Sequence, residues 1–275
     1  TIDTADYSRS YGVENPNSRP MQLNIWYPAE AGGAVMKLQD YYETWRTPSI
    51  QRIDTTLYRK NYTEAMQGLG RRYPRGIAPD SVIQFVKNSP MYAAYNAVSV
   101  KGKFPLIITP GPGGDALSQG VRNEYLASHG YIVVSIPMLN ESPADFNRAD
   151  NSIPSILAQS NDIGFVINYF HQQPNVDINN IAVISMYLQA GLMHQFHTRK
   201  LKAIISFEDD MIGLNMSPYF DVKKITIPLL LTGSKDMNSD FHFLDSLKYA
   251  QRYILNLPGS THLDMFQNKK IDKPA

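Results

Sequence analysis

The distribution of apolar residues predicts a layered protein in which strands and helices alternate. From residue 95 onward, longer amphipathic segments separate short apolar runs: YNAVSV, FPLIITP, YIVVSIP, IAVIS, KAIISF, IPLLLTG and RYILNLP. We predict that the runs are strands and that the segments at 116–130, 152–173, 187–199 and 240–251 are helices. Before them, MQLNIWYPA at 21–29 alternates in polarity and predicts one more strand. This order favours an α/β fold with a mostly parallel sheet and helices on both faces.

One segment, residues 42–90, interrupts the regular pattern before the third strand. Between residues 43 and 87 there are eight Lys or Arg and four Asp or Glu, mixed with aromatic residues, Gly and Pro. The segment is interpreted either as an inserted lid of short helices or as a surface excursion that packs on the main body. We therefore expect one domain over residues 1–275, with 42–90 as an inserted lid-like or surface segment.

Composition narrows the function classes. The net charge is +1 with no long run of one sign, so nothing points to nucleic acid. No stretch reaches the roughly 18–20 apolar residues of a membrane span, and the absence of Cys excludes disulfides and thiolate metal sites. The chain starts at Thr1 without a recognisable signal peptide. If a targeting segment preceded Thr1, a secreted or periplasmic location is expected; otherwise the compartment stays open, as does the oligomeric state.

Chemically suggestive residues follow the predicted strands in a fixed order. In parallel sheets, sites lie beyond the carboxyl ends of the strands. There the sequence places PGPGGD at 110–115, the turn SMYLQ at 185–189, EDD at 208–210, SKD ending at Asp236, and GSTHLD containing His262. The order is an oxyanion-type loop, a nucleophile position, an acid and a histidine. It is the chain order of the catalytic triad of α/β hydrolases.

With these segments, the chain resembles an α/β hydrolase, similar to the branch of platelet-activating-factor acetylhydrolases and dienelactone-hydrolase-like esterases. The resemblance also rests on RPMQLNIWYPA, KFPLIITPGPGG, YLASHGYIVVSIP and DIGFVINYF, and spans about residues 19–267 apart from 42–90. It implies acyl transfer without a cofactor or metal, in which a Ser attacks an ester carbonyl and a His accepts its proton. His262 then occupies the base position, and either Asp236 or Glu208 occupies the acid position.

Two positions depart from that pattern. Tyr187 stands where the nucleophilic Ser belongs; a Tyr phenol has a pKa near 10 and a longer reach than a Ser hydroxyl. Moving the frame to Ser185 puts the nucleophile inside a strand, and Gln189 would crowd the turn. The backbone N–H of Leu188 is the first expected oxyanion donor, but the second falls on Pro112, which has no N–H.

The second departure is independent of the first, because a changed nucleophile does not explain a lost oxyanion donor. Losing one donor costs about 10² to 10³ in rate, and Gly113 replaces it only if the loop is reshaped. We therefore expect a pseudoenzyme that lacks Ser-dependent esterase activity and binds a small molecule, ester-like or otherwise. Two alternatives stay open: an active hydrolase with a Tyr187–His262 site, and a partner-binding module that uses residues 42–87.

Two further patterns are weaker. His194 and His197 lie three residues apart in a predicted helix, which is compatible with a shared metal, but no nearby acid completes a motif, and we expect no metal site. PGPGGD resembles a phosphate-binding loop but lacks the Lys-Ser/Thr ending.

Overall fold

The computed structural model of the protein describes residues 1–11, 17–43, 79–111, 119–137, 152–186, 189–207, 221–234 and 243–260. Its strands are β1 (Ile2–Asp6), β2 (Arg19–Trp26), β3 (Val35–Lys37), β4 (Pro90–Ala94), β5 (Phe104–Gly111), β6 (Ile132–Pro137), β7 (Val176–Ser185), β8 (Ala203–Phe207), β9 (Leu229–Ser234) and β10 (Arg252–Leu257). Its helices are α1 (Leu38–Glu43), α2 (Pro79–Asn88), α3 (Gly120–Ser128), α4 (Ile153–Phe170), α5 (Gln189–Thr198) and α6 (Phe243–Ser246), with a 3₁₀ turn at Val222–Lys224.

The central sheet has eight strands in the order β1-β2-β6-β5-β7-β8-β9-β10. Six strands that are consecutive in the sheet are parallel to one another: β6, β5, β7, β8, β9 and β10. Strand β2 pairs antiparallel with both β1 and β6. All six residues of β6 are buried, as expected for a parallel strand covered on both faces. The prediction of a mostly parallel sheet is confirmed.

Adjacent residues of each strand point to opposite faces and build two apolar layers. In β6, Val134 belongs to a large cluster shared with α4, α5 and α6, and Val133 belongs to a smaller cluster shared with α1 and α3. Helix α4 begins where the sequence favours it, since Ser152 accepts a hydrogen bond from the Ser155 N–H and a proline occupies the first turn. Helices therefore cover both faces, as predicted.

Two predicted elements differ from the structure. YNAVSV is not a strand: β4 lies just before it, and the chain then turns at Asn96, whose φ is +46°. Ser99 forms only an isolated bridge with Ala29. The helix predicted over 240–251 is confined, within the described residues, to the single turn α6, and turns replace it before β10.

The parts of the chain that precede and follow the irregular segment lie next to each other. Strands β3 and β4 pair antiparallel as a separate two-stranded sheet, and the Leu38 N–H donates to the Ser89 carbonyl at 3.0 Å. Residues 44–78 lie outside the described part of the chain. The division of the chain into a body and an inserted segment at 42–90 stays a prediction.

Candidate functional site

The carboxyl ends of five neighbouring parallel strands form one edge of the sheet. Strands β5, β7, β8, β9 and β10 follow one another in the sheet and end at Gly111, Ser185, Phe207, Ser234 and Leu257. The residues assigned to catalysis from the sequence come directly after these ends and lie outside the described residues: Pro112, Gly113, Tyr187, Leu188, Glu208, Asp236 and His262. Their roles stay predictions, but their strands are neighbours.

The connection between β7 and α5 is short. Strand β7 ends at Ser185 and α5 begins at Gln189, so only residues 186–188 join them. Ser185 itself is the last residue of the strand, is paired with Ser206 of β8, and is 1% exposed. A buried hydroxyl within a sheet ladder is a poor nucleophile for an external substrate. The frame centred on residue 187 therefore fits the strand and helix bounds better than a frame centred on Ser185.

Strand order also separates the two candidate acids. Strand β8, which precedes Glu208, is the direct neighbour of β7, whereas β9, which precedes Asp236, is one strand further. Neighbouring strands lie about 4.8 Å apart, so the two strand ends are about 5 and 10 Å from the end of β7. The choice between the two acids stays open.

Polar residues at the start of α3, together with Thr232 of β9, make up a polar cluster, and its Arg122 reaches the end of β8 at this edge. The Arg122 guanidinium lies over the Phe207 ring, 4.5 Å from its centroid, and its Nη2 donates to Gln119 Oε1. Phe207 is in register with Thr232 of β9, and Asn123 follows Arg122 with 0% exposure. Burial lowers the pKa of Arg122 to about 10, because leaving water disfavours the cation. The cluster brings a positive charge close to the strand end that precedes Glu208.

Several polar atoms of this cluster form no hydrogen bond. Among the described residues, they are Nε2 of Gln119, Oδ1 and Nδ2 of Asn123, and Oγ1 of Thr232. A buried polar group without a partner costs about 1–3 kcal/mol, which a polar ligand group or a water molecule can recover. Sequence reasoning missed this cluster because polar residues at positions 119, 122 and 123 of an amphipathic helix look like a solvated face.

The two histidines of α5 lie in different surroundings. His194 is 3% exposed and its Nδ1–H donates to the Ser160 carbonyl at 3.0 Å, whereas His197 is exposed. Burial lowers the pKa of His194 to about 4, and its Nε2 has no hydrogen-bond partner. Within the described residues, no group of three or more His, Asp or Glu is placed to hold a metal ion. In the same part of the chain, no helix is long and apolar enough to cross a membrane.

Comparison with solved structures identifies this arrangement. The chain is similar to a ferulic acid esterase from Streptomyces cinnamoneus, with a TM-score of 0.64 and 16% sequence identity over 95% of this chain and 73% of the esterase. The chain has the α/β-hydrolase fold. No protein-family model and no curated protein sequence matches it.

A proposed dienelactone hydrolase from Klebsiella pneumoniae has a TM-score of 0.46 and 16% identity, over 59% of this chain and 77% of its own. At 16% identity, the similarity to the ferulic acid esterase shows the fold and does not transfer an activity.

Proposed function

We propose that this protein is a non-hydrolytic descendant of a carboxylester hydrolase of the acetylhydrolase or dienelactone-hydrolase type. In this proposal it keeps a small-molecule site at the carboxyl edge of the sheet and lacks Ser-dependent esterase activity. The ligand class that fits the ancestry is a small ester-like molecule or carboxylate.

The bounds of β7 and α5 carry this proposal. Only Met186, Tyr187 and Leu188 join them, and none of the three has an alkyl hydroxyl, a thiol or a carboxylate. A nucleophile in this turn would therefore have to be the Tyr187 phenol, which is almost wholly protonated near pH 7 because its ordinary pKa is near 10. The nearest serine, Ser185, is buried in the strand.

The loop after β5 supports the same conclusion independently. Strand β5 ends at Gly111, so Pro112 is the first residue of the loop that supplies an oxyanion donor in this fold. Proline has no N–H to donate at that position. Loss of one oxyanion donor lowers the catalytic rate by about 10²- to 10³-fold, even when the nucleophile is intact.

The polar cluster beside β8 supports continued ligand binding. The Gln119 and Asn123 side-chain amides retain N–H donors without partners, and Arg122 adds a positive charge next to them. Such a set favours an acceptor-rich group, for example the carbonyl of an ester or a carboxylate. A site that had lost both chemistry and binding would have no reason to keep unsatisfied donors buried, since each one destabilises the fold.

An esterase assay tests the loss of chemistry. Hydrolysis of p-nitrophenyl acetate and p-nitrophenyl butanoate is followed for the wild type, Tyr187→Ser, Tyr187→Ser/Pro112→Leu and His262→Ala. We expect the wild type and His262→Ala to be indistinguishable from the uncatalysed rate. Any restored activity should be larger in the double variant, because Leu supplies the missing N–H. Wild-type turnover that His262→Ala abolishes would refute the proposal and favour an active Tyr187–His262 site.

Ligand binding is measured separately. Saturation-transfer NMR with p-nitrophenyl butanoate and with butanoate reports binding whether or not turnover occurs. We expect a signal in the wild type that Asn123→Leu reduces at least fivefold, because Leu replaces an amide of similar volume. Asn180→Leu, at an exposed position of β7, serves as the matched control. An equal signal in both variants would contradict the assignment of the ligand to this cluster.

A further inference from the structure

A cavity lies at the amino ends of the parallel strands, opposite the candidate site. It has a volume of about 690 Å³ and is enclosed by the end of β2, the loop at 27–34, β4 with its following turn, and the carboxyl end of α4. Trp26, which lines it, pairs with Val133 near the start of β6, and Asn175, which also lines it, immediately precedes β7. A six-residue strand such as β6 spans roughly 20 Å, so this cavity is about that distance from the carboxyl ends of the strands. Along α3, however, its lining residue Glu124 directly follows Asn123 of the polar cluster.

Aromatic rings form the walls of this cavity. The Trp26 and Tyr41 rings lie with centroids 5.8 Å apart at an angle of 82°, and both line the cavity from its floor. A second pair, Tyr169 and Phe170 at the end of α4, lies at 5.3 Å and 65°. Tyr92, which also lines the cavity, is 88% exposed. The face of an aromatic ring carries negative partial charge, so aromatic residues in a cavity wall favour a cationic guest.

The charged side chains in the cavity wall are carboxylates. Glu124 is 4% exposed and accepts hydrogen bonds from the Tyr41 hydroxyl and from the N–H groups of Tyr92 and Ala93, the latter two at 3.1 Å. Glu30 is an exposed lining residue. No Lys, Arg or His is found among the described lining residues, and none of the described basic side chains forms an ion pair with Glu124. Among the described lining residues, the α-amino group of Thr1 is the group of opposite charge, and burial lowers its pKa. The two carboxylates outnumber it, so the wall carries more negative than positive charge.

The Glu124 contacts also make this wall rigid. Trp26 Nε1 donates to the Tyr41 hydroxyl oxygen at 3.0 Å, and that hydroxyl in turn donates to Glu124. Burial and the neighbouring carboxylate both raise the pKa of Tyr41, which keeps its hydroxyl protonated as the donor. The chain Trp26–Tyr41–Glu124 thus holds two cavity rings in place before any ligand arrives.

The rim is held by the backbone. The Glu30 N–H donates to the Val98 carbonyl at 2.8 Å, and the Tyr95 N–H donates to the Ala34 carbonyl at 3.0 Å. The Tyr27 hydroxyl donates to the Ala97 carbonyl at 2.8 Å. A preformed cavity binds more tightly than one that must be ordered, because less conformational entropy is lost on binding.

We propose that this cavity binds a small organic cation that carries an alkylated ammonium group. Such a group is attracted to aromatic faces and to carboxylates, and its alkyl shell tolerates loss of water better than a bare ammonium does. An anion would be repelled by Glu124 and Glu30. A neutral guest would gain ring contacts but no attraction to the carboxylates.

Paired probes separate the charge from the shape of the ligand. Choline and 3,3-dimethylbutan-1-ol have the same shape, but a quaternary carbon replaces the charged nitrogen in the second. Each is titrated into the full chain at constant ionic strength, with binding followed by calorimetry and by tryptophan fluorescence. Trp45→Phe leaves Trp26 as the single tryptophan. We expect choline to bind at least tenfold more tightly than its neutral isostere and to change the Trp26 emission.

Three variants locate the binding site. Tyr92→Ala and Glu30→Gln alter exposed cavity residues without disturbing the core, and each should weaken choline binding several-fold. Tyr125→Ala is the matched control, because Tyr125 is 63% exposed on the neighbouring surface of α3 but does not line the cavity. Equal affinity for the two probes, no binding of choline, or the same loss in Tyr125→Ala as in Tyr92→Ala would each overturn the proposal. Saturable binding of a neutral disaccharide in place of choline would overturn it as well.

Discussion

Replacing Asp162 with asparagine tests whether a buried ion pair fastens the first two strands to the main body. Asp162 lies in the middle of α4 and is 1% exposed, and Arg19 at the start of β2 is 2% exposed. Arg19 donates to both carboxylate oxygens, from Nε at 2.7 Å and from Nη2 at 2.8 Å. Arg9 adds a third bond at 2.8 Å. The carboxylate thus neutralises a cation that has no access to water.

The expected loss of stability is large. Asparagine keeps the volume of Asp162 but leaves the Arg19 cation buried without a counter-charge, which costs about 3–5 kcal/mol. For a chain of this size, 1 kcal/mol shifts the melting temperature by about 2–4 °C, so Tm should fall by roughly 6–20 °C. The same change at Asp3, an exposed residue of β1, is the control.

Urea unfolding followed by far-UV circular dichroism measures the free energy of unfolding of each variant. A double variant, Arg19→Met/Asp162→Leu, removes both charges and should recover part of the loss, because the penalty comes from the unpaired cation. A loss below about 1 kcal/mol for Asp162→Asn would refute the reasoning, and so would a double variant less stable than the single one.

Two further predictions concern the core. Folding lowers the pKa of His194 from its usual 6.5 to about 4. The contribution of the neutral imidazole to the free energy of unfolding is therefore complete above pH 6.5. About 3 kcal/mol of it is lost as the pH falls towards 4. In His194→Gln, the free energy of unfolding measured with urea should depend less on pH over that range than it does in the wild type. The exposed control His171→Gln should keep the wild-type pH dependence. An unchanged pH dependence in both variants would contradict this prediction. Gly120→Ala should lower the free energy of unfolding by about 1–3 kcal/mol, because its Cβ would lie 2.5 Å from the fixed Tyr41 ring. Gly191→Ala, with contacts of 3.4 Å or more, should be neutral or slightly stabilising; an equal loss in both would disprove this steric argument.

Sequence patterns predicted the sheet well because its strands are buried on both faces and therefore read as short apolar runs. They failed at residues 90–100, where the actual strand, PMYAA, is short, contains a proline and is only partly buried. The run YNAVSV has the polarity of a strand, but Asn96 adopts a positive φ and turns the chain. The helix predicted up to residue 251 ends early because apolar spacing alone does not reveal where turns begin.

The candidate site was predictable only as an order of loops along the chain. The order followed from strand ends, which hydrophobic runs locate to within one or two residues. The sequence did not predict the cluster of Gln119, Arg122 and Asn123 or the aromatic cavity. Both depend on which face of α3 meets the sheet, and Asn123 and Glu124 are polar residues on its buried face. A prediction from polarity alone places that face of the helix in solvent.

The esterase test is informative even if every variant is inactive, because the supports of the nucleophile turn belong to the core. Ser185 is held in β7 by its neighbour β8, and Ala190 and Leu192 at the start of α5 are 2% and 1% exposed. A Cβ added at Gly191 would meet the Val183 and Ile204 side chains at 3.4 and 3.5 Å, so α5 lies close to β7 and β8 at this point. A change of one side chain between these two fixed ends should leave the fold intact. An inactive but fully folded Tyr187→Ser/Pro112→Leu variant would therefore show that more than the nucleophile and one oxyanion donor has been lost from the ancestral machinery.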